Sequence, residues 1–135
     1  MVSEERSAMS PTMSASDSPI NLEELSRLGD AKEGDSSQSF VQEVIELFVT
    51  LSPQIYQTAR DSFLAGDAQS VARAAHKLKS QGAYFGALRL VQVCRQLEQH
   101  GYGNQLGRCE RLLDDLEDEL DRVVAALEPH RYIGP

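Results

Sequence analysis

The sequence holds only two cysteines, Cys94 and Cys109, and they form no CxxC pair. A disulfide framework or a cysteine-bound zinc cluster is therefore excluded as the organiser of the fold. Positive charge is also scarce: 13 Lys and Arg stand against 21 Asp and Glu, a formal net charge of −8. Phosphate backbones are bound mainly through Lys and Arg that displace counterions, so nucleic acid is not an expected partner. No stretch approaches the roughly 18 apolar residues of a bilayer span. The opening residues, Met1-Val2-Ser3-Glu4-Glu5-Arg6, lack the apolar run of an export signal. The expected compartment is the cytoplasm, with no membrane partner. Missing too are strand-like period-2 runs rich in β-branched residues, and any GxxxxGK[ST] or other nucleotide-binding fingerprint.

What remains is a chain of 135 residues, 41% of them hydrophobic, about the size of one folded domain with a single core. Residues 1–20, rich in serine, read as a disordered tail, residues 21–128 as a helical bundle and residues 129–135 as a C-terminal tail. Leu22, Leu25 and Leu28 suggest a short helix ended by Gly29. Phe40, Val44, Leu47 and Leu51 form a helical stripe before Pro53, where a new helix over 53–65 is expected to begin. Asp67 is the expected N-cap of a helix reaching Tyr84, with Val71, Ala75, Leu78, Gly82 and Phe85 inward. A further helix over about 87–100 turns Leu90, Val91, Cys94 and Leu97 inward and stops at Gly101-Tyr102-Gly103. The last helix carries Cys109, Leu113, Leu116, Leu120, Val123 and Leu127 inward, is crowded with acids elsewhere, and ends at Pro129. Short connections favour antiparallel neighbours. The expected fold is all-α, an antiparallel four-helix bundle from residue 53 onward with one or two additional N-terminal helices against its end or side.

One histidine stands out on this scaffold. At about 100° per residue, His76 lies roughly 140° from the Val71–Phe85 stripe and faces solvent. One or two turns away on its helix lie Ala72, Lys79, Ser80 and Ala83: three small residues and one cation. A neutral imidazole is nucleophilic near pH 7, and phosphorylating it creates an anion that a nearby ammonium stabilises. With no nucleotide motif in the chain, the phosphoryl group is expected to come from another protein. His100, beside a helix stop, and His130, in the tail, carry no comparable surroundings, and both cysteines are expected to be core residues.

The stretch His76-Lys77-Leu78-Lys79-Ser80-Gln81-Gly82-Ala83-Tyr84-Phe85-Gly86-Ala87 resembles the histidine-containing phosphotransfer (HPt) signature, roughly H-x-L-K-G-S-S-x-x-hydrophobic-G-A. His76, Leu78, Lys79, Phe85, Gly86 and Ala87 match it, whereas Ser80, Gln81 and Gly82 stand where the family has Gly-Ser-Ser. The likeness continues through Phe63-Leu64-Ala65-Gly66-Asp67 and Leu90-x-x-x-Cys94-x-x-Leu97-Glu98, and covers about residues 37–128. It implies that His76 is the phosphorylated residue and Lys79 its electrostatic partner. It also implies a phosphocarrier without kinase activity, shuttling phosphoryl groups between receiver-domain aspartates in a multistep His-Asp relay. The chain itself would bind no cofactor, and the receiver would supply Mg²⁺. The alternative reading is a non-catalytic adaptor that docks on a receiver or histidine kinase and sequesters it. A monomer is expected in either case.

Docking is expected around Ala72, Ser80 and Ala83, with the apolar part of the interface on the helix before Pro53. There Val41, Ile45 and Phe48 form a second line about 100° from Phe40, Val44, Leu47 and Leu51. That is more apolar surface than an end-packed helix needs, and Phe48 is the expected contact. The competing expectation is that this second line packs on the helix at 22–28.

Overall fold

Helix boundaries follow the punctuation of the sequence. Asp67 caps its helix by accepting from the Ser70 N–H (3.1 Å) and from the Ser70 hydroxyl (2.7 Å), filling one of the orphan donors of the first turn. Gly66 before it (φ +78°) and Gly86 after the same helix (φ +63°) take backbone conformations that favour glycine. The computed structural model describes residues 18–21, 23 and 36–131. Within them run four helices, α1 (Ser36–Leu64), α2 (Ala68–Tyr84), α3 (Leu88–Tyr102) and α4 (Glu110–Leu127), with 3₁₀ turns at Leu106–Arg108 and Glu128–His130. Each helix packs on its sequence neighbours and α1 closes on α4. This is the expected antiparallel four-helix bundle.

Its first helix differs from expectation. Pro53 neither breaks nor starts a helix but lies inside α1, which is continuous over 29 residues. Proline has no N–H for the Val49 carbonyl and costs a helix interior about 3 kcal/mol. Against that, Ile45, Phe48, Ser52, Tyr56 and Ala59 are all buried and keep one phase across Pro53. Each large apolar side chain among them contributes roughly 1.5–3 kcal/mol on burial, so continuity wins. The same phase corrects the inward line. Ile45 and Phe48 enter the core, while Leu47, 56% exposed, and Leu51 face outward. The segment before Pro53 is thus half of a bundle helix, not an end-packed extra.

Two glycines set the spacing of α2 and α3. A Cβ on Gly82 would come within 2.9 Å of the Leu90 side chain. A Cβ on Gly101 would sit 2.8 Å from both the Ala72 Cβ and the Ala68 carbonyl oxygen. Gly101 is therefore a crossing point inside α3 rather than its stop, and Gly103 caps the helix. Val91, expected inward, is only half buried.

The expected tails are tied down at their inner ends. Ile20 is buried in the core, and the Asn21 N–H donates to the Phe85 carbonyl (2.7 Å). Arg131 grips both carboxylate oxygens of Glu46 on α1, at 2.7 and 2.9 Å. Most of the helix expected at 22–28 and residues 1–17 lie outside the described residues. Cys94 and Cys109 are buried as expected, and burial, helped by the charge of Glu98, pushes the Cys94 thiol up to about 12.

Replacing Gly101 with alanine should force α3 off α2 and destabilise the fold by about 1–3 kcal/mol. Gly107→Ala, where an added Cβ meets nothing within 4 Å, should be tolerated. Thermal melts of the two variants side by side check this, and equal melting temperatures would refute the close-packing account.

Candidate functional site

The inward stripe of α2, from Val71 to Phe85, is buried as expected. That fixes the helix rotation and turns His76 outward, its side chain 59% exposed. From α3, Glu98 reaches under the ring. Its Oε2 lies 2.5 Å from His76 Nδ1, while Lys79 Nζ donates to its Oε1 at 2.5 Å. One carboxylate thus holds the imidazole and the ammonium together.

A carboxylate only accepts, so the ring proton sits on Nδ1 and the Nε2 lone pair is left free toward solvent. The Glu98 side chain is only 13% exposed. Burial, the largest influence on its carboxyl, pushes the pKa up, but the hydrogen bonds from Lys79 and His76 and their charges together hold it below its ordinary value. The carboxylate therefore stays charged at neutral pH. A depressed carboxyl contributes stability above the unfolded value of about 4.5, lost as pH falls through the lower folded value.

The other expected site residues divide. Ser80 and Ala83 lie exposed on the His76 face. The Ser80 hydroxyl is spent on the His76 carbonyl of the preceding turn (3.2 Å), so it offers the ring no hydrogen bond. Ala72 is not a surface residue: it is fully buried against the Gly101 crossing. Phe48 is likewise a core residue, 3% exposed, its ring set edge-on to Phe85 with centroids 5.3 Å apart. It forms the floor of an open groove of about 360 Å³ whose walls are Phe40, Val44, Leu47 and Leu51 with Gln81, Tyr84 and Phe85. Gln81 and Tyr84 follow His76 by five and eight residues on α2, so this groove opens about 8–12 Å along the helix axis from the histidine.

A family model described as Hpt domain matches residues 43–126. The chain belongs to that family. Among solved structures, histidine-containing phosphotransfer protein B (HptB) from Pseudomonas aeruginosa PAO1 is similar, with a TM-score of 0.74 and 25% sequence identity over 84% of this chain and 94% of that one. No curated protein sequence matches the chain. Membership of the Hpt family supports a phosphocarrier role in a phosphorelay rather than a kinase. Among the described residues no helix is long and apolar enough to cross a membrane.

Glu98 is the functional residue that the sequence reading of this Hpt chain leaves without a role. It is the sole acid between Ala68 and Tyr102. Small residues at Ala72, Gly82 and Gly101 allow an antiparallel register that brings position 98 opposite 76–79. Those two signals together could have found it.

If Glu98 fixes the ring, ¹⁵N spectra of His76 at pH 8 should show the Nδ1–H tautomer, and Glu98→Ala should release a mixture of the two. Identical imidazole shifts in the two proteins would remove this role from Glu98.

Proposed function

We propose that the protein carries phosphoryl groups between receiver domains on Nε2 of His76. The observation that supports this best is the exposed Nε2 of a ring whose other nitrogen is held protonated by Glu98. In the accepting step the Nε2 lone pair attacks the phosphorus of a receiver's aspartyl phosphate. The N–P bond forms as the P–O bond breaks, and its electron pair returns to the aspartate carboxylate. No proton need leave, because the nitrogen that attacks carries none. The ring becomes cationic while its Nδ1–H remains on Glu98, which compensates the new charge. Donation to a second receiver's aspartate is the reverse of these events.

Such a transfer is mostly positioning and charge compensation around an in-line phosphoryl group. The receiver would bring Mg²⁺ and the aspartate. This chain would bring the nucleophile and Lys79, whose ammonium sits one turn from His76 and is within the same network as the ring. Docking would use the small residues Ser80 and Ala83 beside the ring, with Leu47, Leu51 and Tyr84 of the adjoining groove taking the place assigned to Phe48.

Incubation with a phosphorylated receiver should place an acid-labile, base-stable phosphate on His76. His76→Gln should abolish it while changing stability by no more than about 0.5 kcal/mol, as befits an exposed residue. A receiver that binds but never labels the protein would favour the adaptor reading, and label surviving in His76→Gln would refute the assignment of the histidine. Lys79→Ala should still bind the receiver but shorten the phosphohistidine lifetime, and an unchanged lifetime and transfer rate would take Lys79 out of the mechanism.

A further inference from the structure

The α2–α3 hairpin has the opposite charge to the rest of the molecule. Between Ala68 and Tyr102 stand Arg73, Lys77, Lys79, Arg89 and Arg95 against Glu98 alone, a formal +4, while the other 100 residues hold 8 basic and 20 acidic side chains, a formal −12. Helix α4, packed on α1 and α3, carries seven acids and two arginines. Arg73, Lys77 and Arg95 are exposed. Lys77 and Arg95 meet no carboxylate among the described residues, and Arg73 spends a donor on the Ser70 hydroxyl (2.8 Å). Lys79 is paired with Glu98 and Arg73 acts on the Asp67 cap, so Lys77 and Arg95 are the exposed charges on which the face relies. Lys77 follows His76 directly on α2, toward α1, and Arg95 stands one turn before Glu98 on α3.

We propose that this hairpin is an electrostatic docking face for an acidic protein surface, and that its pull weakens when His76 is loaded. The inference rests on the phosphocarrier reading and adds the chemistry of the partner and a charge switch to it. At physiological salt, charges are screened over about 8 Å, whereas two packed helix layers span roughly 20 Å. An approaching carboxylate cluster therefore feels the hairpin's cations and little of the acids behind them. On the α4 side, with its seven acids, it meets repulsion, so the field orients the encounter as well as speeding it.

The transfer itself alters this attraction. Moving PO₃⁻ from an aspartate to His76 moves one negative charge from partner to hairpin. The partner becomes less acidic and the hairpin less basic in one event. Attraction is greatest between the phosphorylated partner and the empty protein, and least between the products, which favours their separation.

Stopped-flow association of the full chain with a purified receiver domain of net negative charge tests this. Between about 50 and 400 mM NaCl the association rate should fall about tenfold, as for steered encounters. Lys77→Glu with Arg95→Glu should lower the low-salt rate about tenfold or more and flatten the salt dependence. The loss should concentrate in the second-order rate. Protein phosphorylated beforehand should show a shallower salt slope than empty protein. Should the double reversal unfold the chain, Lys77→Gln with Arg95→Gln should give half the effect. A flat salt slope in the unmodified protein, equal slopes in the variants, equal slopes for loaded and empty protein, or heparin binding as tight as the receiver would each overturn the proposal. Phosphate on His76 is read separately, so label without salt-dependent docking defeats this inference alone, and salt-dependent docking without label defeats the phosphocarrier reading and the charge switch with it while leaving the docking face.

Discussion

Glu98 joins two helices through one carboxylate, and the site depends on it. Without that oxygen pair, His76 would be a solvent-exposed imidazole free to place its proton on either nitrogen, and Lys79 a loosely tethered cation. With it, the ring is oriented, the outward nitrogen keeps its lone pair, and the ammonium is held within the same network. The carboxylate reaches so far because the backbones of α2 and α3 are close. Gly82 and Gly101 have no Cβ to hold them apart, so packing deep in the hairpin determines chemistry on its surface.

Much of this was legible in the residues, and the exceptions have physical reasons. The α2 stripe is a long periodic signal ended by an N-cap and a glycine, so the outward direction of His76 followed from it. Helix α1 departs from expectation at Pro53 because the local cost of proline stands against a tertiary gain that a window around residue 53 does not contain. Only the alignment of Ile45 and Phe48 with Tyr56 and Ala59 shows that a continuous helix buries both halves on one side. The misplacement of Phe48 followed directly from that phase error. Ala72 failed differently: helical neighbours of His76 are surface residues only where no other helix covers them, and α3 crosses there. Glu98 needed the interhelical register, which no single helix encodes.

The phase of α1 also explains the groove beside the site. A helix that turned Phe40, Val44, Leu47 and Leu51 into the core would leave Ile45 and Phe48 outside, and the edge-on stacking of Phe48 on Phe85 would be lost. With Phe48 inward, the other line becomes the wall of an open apolar groove whose far side is α2 itself. The same rotation that completes the core thus leaves apolar surface about two turns along α2 from the His76 ring. The apolar groove and the cations Arg73 and Lys77 then follow one another along the α1-facing flank of α2, while Lys79 and Glu98 lie on its α3 side.

The ammonium of Lys79 has a further consequence for a carrier. In the empty protein it donates to Glu98, and a phosphoryl group on Nε2 would be a second claimant one turn away. A single ammonium cannot compensate both anions fully. Glu98, moreover, must remain charged to balance the cationic ring formed on phosphorylation, so it does not yield its partner without cost. On the phosphocarrier reading, the phosphoryl group would therefore be held with incomplete charge compensation, in a setting open to solvent and to an incoming partner. A site built to store phosphate would surround it with donors, as helix N-termini and arginine clusters do. On the same reading this one would supply enough positive charge to accept the group and too little to keep it, which is the balance that passing it onward requires.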